Sequence, residues 1–289
     1  MADVVAECGL SAHDLVQVRA LAHVVRRVDG VNLKFNWDLM AKRVPNQASD
    51  FCCYENGQLV GYAPLDGEGR ELEVTAVVVP SFRRRGIFRL LLGAAKQEAQ
   101  RRGAERLLLV NYRASQSGRA AALALNLPYV FSEYHMEAEA ASLPPLQSGQ
   151  VQLVKVGEAN LAALAQMMAL NFSGERHSPQ VLAEELQEAD TRYFLAELDG
   201  VQIGQIGVVD EQNSIYVRAV GVIPKYRRRG YGRQLVAAIL QAMLLEGHTR
   251  FALDVATDNV QALSLYKACG FREADVYDYY DVPLTEAKA

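Results

Sequence analysis

Apolar and polar positions change period several times along the chain, and each change marks an element. Over Gly232–Leu245 the residues Leu235, Val236, Ile239, Leu240 and Met243 fall on one stripe, which predicts an amphipathic helix. The β-branched and aromatic runs Tyr193–Leu198 and Val201–Val209 predict two strands, and Asp199-Gly200 between them is a hairpin dipeptide. Ile215–Ile223, Phe251–Val255 and Asp275–Val282 read as further strands. Asn160–Asn171 reads as a helix. A second opens at Ser178-Pro179 with Glu184, Glu185 and Glu188 on its polar side, and Val260–Ala268 is a third that ends at Gly270. Strands dominate the middle and helices flank them. The expected fold is α/β (mixed α+β), with a mostly antiparallel sheet covered by helices.

The pattern occurs twice. Displaced by 144 positions, the chain aligns Pro80 with Pro224, Arg83-Arg84-Arg85-Gly86 with Arg227-Arg228-Arg229-Gly230, Arg89 with Arg233 and Leu91 with Leu235. A shift of that length is a domain rather than a solenoid period. Ala141-Ser-Leu-Pro-Pro-Leu-Gln-Ser-Gly149 suits a linker, so two tandem domains are expected at 1–142 and 150–289.

Composition excludes several classes. The formal charge of −4 and pI near 5.8 argue against a nucleic-acid coat. Seventeen basic and 16 acidic residues lie in 1–145, and 13 and 18 in the remainder, so the acidity belongs to the second half. The N-terminus shows no basic leader followed by an apolar run, and no stretch approaches a membrane span. Cys8, Cys52, Cys53 and Cys269 have no C-x-x-C spacing and read as reduced thiols. A cytoplasmic protein without membrane or nucleic-acid partners and without a metal cluster follows. Oligomeric state is not legible.

The candidate chemistry starts at the turn. Val217–Ile223 leads into Pro224-Lys-Tyr-Arg-Arg-Arg-Gly-Tyr-Gly232, and an apolar helix follows. A strand, a Gly-rich basic turn and a helix N-terminus in that order make an anion site, because amide hydrogens point outward and the helix dipole favours negative charge. Neither a dinucleotide fingerprint nor a Gly-Lys-Ser/Thr phosphate loop is present; Val236 stands where the first would need its third glycine. Further on, residues 253–271 read Leu-Asp-Val-Ala-Thr-Asp-Asn-Val-Gln-Ala-Leu-Ser-Leu-Tyr-Lys-Ala-Cys-Gly-Phe.

Together these segments resemble the GCN5-related N-acetyltransferase (GNAT) superfamily. Arg227, Gly230 and Gly232 match its Arg/Gln-x-x-Gly-x-Gly/Ala signature. Asn259, Ala262, Leu265, Tyr266, Gly270 and Phe271 match its second, ungapped one. The repeat extends the likeness over nearly the whole chain, as in tandem members. The resemblance implies acetyl-CoA as donor and direct transfer to a primary amine. Pantetheine would run beside Val220 and Val222, and the diphosphate would rest on the turn formed by Arg227, Arg228, Arg229, Gly230, Tyr231, Gly232 and Arg233. Asn259 would hold the pantetheine arm. Tyr266 would protonate the departing thiolate; the bland alternative is a packed core tyrosine. Asp254, or a water it holds, would be the base that frees the amine, since alkyl ammonium groups are largely protonated at pH 7. The alternative for Asp254 is a strand-end carboxylate engaged in structural hydrogen bonds.

The first copy departs from the pattern. Phe88 replaces the second glycine, Ala124 falls near the place of Tyr266, and Pro128 is expected to shorten the helix. This domain reads as degenerate and catalytically weakened, with Glu71 and Glu73 left as possible bases on its central strand Val74–Val79 and the residues before it. Asp275-Val-Tyr-Asp-Tyr-Tyr-Asp281 concentrates acid and phenol and is expected to be a solvated strand face or a lure for a cationic acceptor. His177 reads as a loop residue and Trp37 as core or groove wall. Two other assignments stay open: a non-catalytic acyl-CoA sensor, and an enzyme whose first domain is the active one.

Overall fold

The computed structural model describes residues 3–37, 40, 43–67, 70–146, 149–172, 178–188, 190–211 and 214–284. The strands are β1 (Asp3–Glu7), β2 (Asp50–Glu55), β3 (Gln58–Asp66), β4 (Glu71–Val74), β5 (Val77–Val78), β6 (Arg106–Tyr112), β7 (Tyr129–Glu139), β8 (Gln152–Lys155), β9 (Thr191–Leu198), β10 (Val201–Glu211), β11 (Ser214–Val222), β12 (Arg250–Ala256) and β13 (Arg272–Asp281). The helices are α1 (Ala12–Asp29), α2 (Ile87–Arg101), α3 (Gln116–Ala124), α4 (Leu161–Asn171), α5 (Pro179–Glu185), α6 (Tyr231–Leu245) and α7 (Val260–Ala268). The expected elements of the second half are present, each within a few residues of its expected bounds. Turn chemistry sets the hairpin: Asp199 and Gly200 both adopt positive φ, 50° and 78°, as a type I′ turn requires.

The chain forms two compact units, Met1–Ser132 with Asp275–Ala289, and Glu133–Ala274. These differ from the consecutive halves 1–142 and 150–289. The physical reason is strand pairing. In the first unit Tyr277–Asp281 of β13 runs antiparallel to Leu108–Tyr112 of β6. In the second, Glu133–Glu139 of β7 runs antiparallel to Arg250–Ala256 of β12. Each unit therefore closes on a strand that sequence order assigns to the other half. The segment read as a linker packs within the second unit: Leu146 O accepts from Gln241 Nε2 at 2.8 Å, and Gln234 Oε1 accepts from the amide of Gln150 at 2.9 Å.

In the first unit the strand order is β1-β2-β3-β4-β6-β13, with β5 on β3, and among the described residues β4 and β6 alone pair in parallel. The second runs β7-β12-β11-β10-β9-β8, with the parallel step at β11 and β12. Helices cover both faces. In the first unit Val18, Leu21 and Val25 of α1 pack with Cys52 and Tyr62, while Leu91, Leu92 and Ala95 of α2 pack with Cys53 and Phe51 on the opposite face. In the second, the expected stripe Leu235, Val236, Ile239, Leu240 and Met243 of α6 is buried to 1 % exposure or less, with Phe251, Leu253 and Val255 opposite. Each such side chain contributes about 1.5–3 kcal/mol relative to exposure. Leu164, Met167 and Met168 of α4 cover the other face.

Three expectations for the first half change. The strand expected at Val74–Val79 is split, β4 ending at Val74 and β5 starting at Val77. Helix α3 is not shortened by Pro128. Like α7 it has nine residues, because Asn126 takes positive φ (51°) just past its end as Gly270 does (99°), and Pro128 lies beyond that stop. The β13 residues are not a solvated face either: Asp275, Tyr277, Asp278 and Tyr279 are buried. Arg113 and Ser132 hydrogen-bond Asp278, and Asn32 donates to Asp275 at 3.0 Å, so these polar groups are absorbed by the first unit's own structure.

Candidate active site

The two signatures meet in the second unit, at the edge where the parallel strands part. Among the described residues, β11 and β12 pair at Ile215↔Phe251 and Tyr216↔Ala252 alone. Past that point β11 is distorted: Ala219 takes φ 51°, and the β10–β11 register shifts between Gln205 and Gly207. The bulge at the mouth of the splay takes Ala219 and Val220 out of the β10 ladder, which resumes at Gly221 and Val222. Val220 and Val222 keep their side chains on the apolar core.

The turn follows directly. Arg228 at φ 63° and Gly230 at φ 82° curl the chain into α6, whose first helical bond runs from the amide of Gln234 to Gly230 O at 3.2 Å. The amides of Tyr231, Gly232 and Arg233 precede that bond and have no intrahelical acceptor, which is the arrangement an anion requires. Arg228, Arg229 and Arg233 are exposed around them. Arg227 does a different job. Its Nε donates to Val222 O at 2.7 Å and its Nη2 to Asn171 Oδ1 at 2.9 Å, so it clamps the strand end to α4. Gly232 packs closely on α7: a Cβ there would stand 2.7 Å from Leu265 Cδ1, so the leucine would have to shift to admit one. Asn259 is the N-cap of α7, its Oδ1 accepting from the amide of Ala262 at 3.1 Å.

Tyr266 lies beneath the turn, 8 % exposed, its ring edge-on to Phe271 at 6.1 Å. Among the described residues no hydrogen bond engages its hydroxyl. Burial, with a smaller contribution from Cys269, pushes the phenol up to about 12. Asp254 is on β12 with its neighbours Leu253 and Val255 turned into the core, so its carboxylate points to the opposite face, as period-2 alternation dictates. There it meets His135: Nδ1 of the imidazole and Oδ1 of Asp254 are 2.7 Å apart. His135 sits on β7 directly across from Asp254, and Nε2 of its ring is 3.6 Å from Glu137. Sequence reasoning missed His135, which is 119 positions away and comes from the strand that completes the second unit's sheet.

The first unit repeats the scaffold without the reactive groups. Arg84 and Gly86 take φ 65° and 85°, close to Arg228 and Gly230, so Phe88 does not alter the turn. Arg83 repeats the clamp, its Nε donating to Val78 O at 3.1 Å and its Nη1 to Asp29. The helix pair exchanges bulk: Phe88 on α2 stands where α6 has Gly232, and in register α3 presents Ala121 and Ala122 where α7 has Leu265 and Tyr266. The counterpart of Tyr266 is thus Ala122 rather than Ala124. Val110 faces Tyr279 where Asp254 faces His135. Of the two candidate bases on β4, Glu71 pairs with Arg106 at 3.2 Å. Yet a cleft of about 650 Å³ opens here, lined by Thr75 to Val78, the turn at Arg84 to Arg89, and Ser115 to Gly118 at the start of α3.

The remaining sequence-level candidates are readily placed. Trp37 is half-buried, edge-on to Phe35 at 5.6 Å and capped by Arg19 at 4.9 Å. His177 lies outside the described residues. Among the described residues no group of His, Cys, Asp and Glu could hold a metal ion, and no helix is long and apolar enough to cross a membrane.

The chain matches the family model described as "Acetyltransferase (GNAT) family" twice, over residues 19–124 and 161–271. It is 30% identical over 292 residues to the mycothiol acetyltransferase of Thermomonospora curvata, covering 95% of this chain and 96% of that protein. The mycothiol acetyltransferase of Cellulomonas flavigena is 28% identical over 251 residues, with 78% and 72% covered. In fold the chain is similar to a tandem GNAT protein from the clavulanic acid biosynthesis pathway, with a TM-score of 0.75 over the full length of both chains at 18% identity.

Proposed function

Because the chain belongs to the acetyltransferase (GNAT) family and is an acetyl-CoA-dependent N-acetyltransferase, we propose that its second unit carries the transfer and that the first does not. The observation that carries this reading is the contrast between the units. The second unit has Tyr266 on α7 and the Asp254–His135 pair on β12 and β7, past the point where β11 and β12 part, whereas Ala122, Val110 and Tyr279 occupy the same positions in the first.

The diphosphate of acetyl-CoA rests on the amides from Arg228 to Arg233, and the pantetheine follows Val220 and Val222 between the parted strands. A neutral amine attacks the thioester carbonyl carbon, a C–N bond forms, and the C–S bond breaks from the tetrahedral intermediate. The amine must first lose a proton. His135, held in one tautomer by Asp254, takes it at Nε2, so Asp254 orients the base instead of acting as one. Tyr266 presents its proton to the departing sulfur. With its own pKa about 12 and a thiol near 8.5, the phenol remains neutral over the working range and always available as donor. The acceptor is a small-molecule primary amine. The full-length likeness to mycothiol acetyltransferases favours the amine precursor of mycothiol over a peptide N-terminus.

The cleft of the first unit supports one further role for the non-catalytic copy, that of a second CoA site. One experiment addresses both roles. Coenzyme A is titrated calorimetrically into the wild type, Gly230→Glu and Gly86→Glu, alongside turnover with a panel of amines that includes the mycothiol precursor. Turnover is expected to vanish in Gly230→Glu and persist in Gly86→Glu, with each variant losing one binding equivalent. Turnover that survives Gly230→Glu would move the reaction to the first unit, and binding without transfer to any amine would point to a sensor.

A further inference from the structure

One polar chain in the second unit belongs to none of the roles above. Gln205 is fully buried on β10, opposite the bulge. Its Nε2 donates to Ala219 O at 3.3 Å, and its Oε1 accepts from Asn171 Nδ2 at 2.9 Å. Asn171, at the end of α4, also donates to Met167 O at 3.1 Å and accepts from Arg227 Nη2 at 2.9 Å. Arg227 closes the circuit on Val222 O at 2.7 Å. The chain therefore begins at the carbonyl of the bulged residue and ends at the strand's last carbonyl and the diphosphate turn. It spans the residues along which a thioester would lie.

The surrounding backbone makes room for it. A Cβ on Gly221 would stand 2.8 Å from Asn171 Cγ and nearer still to Gln205 Nε2. A Cβ on Gly204 would collide with Gly221 O. Gly221 opposite Gln205 and Gly204 opposite Val222 let an amide side chain reach the bulge, and a buried amide is tolerated only because both its ends are bonded. The first unit keeps the clamp and lacks the relay. Arg83 is held by Asp29, but Tyr62, whose hydroxyl donates to Asp50, stands in place of Gln205, and Val77 in place of Gly221. The clamp alone thus suffices for the turn, and the relay belongs to the unit that carries the reactive groups.

We propose that Gln205 and Asn171 are positioning residues for acetyl transfer: by holding Ala219 O out of the splay they fix the Ala219 bulge, so that the backbone of Val220 to Val222 meets the thioester carbonyl in one orientation. The inference rests on the second unit being the site of transfer. Donors aimed at the developing oxyanion act mainly in the transition state, and losing one such donor costs about 10²–10³ in kcat. Loosening a strand that carries the donor costs less, about tenfold to a hundredfold.

Two variants test it. Gln205→Met keeps the volume and removes both hydrogen bonds. Asn171→Asp keeps a partner for Arg227, as Asp29 is for Arg83, and removes the donor to Gln205. Both are compared with the wild type by steady-state kinetics and by isotope-edited infrared spectra of bound acetyl-CoA labelled with ¹³C at the carbonyl. The band component that disappears in Gly230→Glu belongs to the second unit. In both variants that component is expected to shift back toward the free thioester and broaden, with kcat about tenfold or more below wild type and KM for acetyl-CoA within about twofold. An unchanged band and unchanged kcat in Asn171→Asp would overturn the proposal. If Gly230→Glu removes no component at all, the fault lies with the assignment of the reaction to this unit.

Discussion

Tyr266 is held where its chemistry depends on staying protonated. Burial raises its pKa to about 12, so no titration of this phenol enters the activity profile between pH 6 and 10. Tyr266→Phe is expected to lower kcat by about 10²-fold while leaving acetyl-CoA affinity nearly unchanged, and the pH profile should fall in height without changing shape. The same shift has a stability consequence. The folded pKa exceeds the unfolded value near 10, so the contribution of the neutral phenol is complete below pH 10 and is lost as pH rises toward about 12. Melting temperatures measured through that window should fall more steeply for wild type than for the phenylalanine variant. His135 and Asp254, 2.7 Å apart, act as one unit, so His135→Gln and Asp254→Asn should each lower kcat and the double variant should be little worse than the poorer single.

At the scale of elements the governing fact is how two helices share volume. In the second unit α6 offers Gly232 and α7 offers Leu265 and Tyr266, whereas in the first Phe88 meets Ala121 and Ala122. Bulk moves from the second helix to the first, which is why Phe88 coexists with an unaltered turn. Gly232→Phe, the residue of the first unit at this place, would press a ring against Leu265, whose Cδ1 would stand 2.7 Å from a Cβ at 232, and should cost about 1–3 kcal/mol by denaturant unfolding. Leu265→Ala should relieve much of that cost in the double variant, giving a coupling energy that no pair of distant sites would show. Much at this scale was legible. The stripe from Leu235 to Met243, the proline-capped α5 and the Asp199-Gly200 hairpin follow from period and turn chemistry. The break between Val74 and Val77 was not, because Thr75-Ala76 carries no glycine or proline: β4 and β5 pair with the same strand β3 in one register, and the residue of β3 opposite Thr75 is Pro64, which has no amide hydrogen to donate. The length of α3 was misjudged for a related reason: Asn126 supplies the left-handed stop before Pro128 is reached.

For the whole chain, what the sequence could not disclose is which strand finishes which sheet. Asp254 stood out from its spacing to Tyr266, but its imidazole partner arrives through a strand register, and no local signal links residues 119 positions apart. The same register bears on how the protein can be divided. A cut at the apparent linker gives a fragment 150–289 that contains both signatures, Tyr266 and the turn, and would count as a complete domain by motif alone. It lacks β7. Seven residues of β12, from Arg250 to Ala256, then lose their antiparallel partners, and the exposed edge carries Phe251, Leu253 and Val255 beside it. An unpaired apolar strand of that length is an aggregation template. The fragment 150–289 is therefore expected to be poorly soluble and unable to bind coenzyme A, whereas a fragment starting at Tyr129, which restores β7 and His135, should regain both properties. Soluble yield and calorimetric titration of the two fragments check this. Equal behaviour would mean that β12 does not need β7, and the pairing that brings His135 to Asp254 would lose its structural weight.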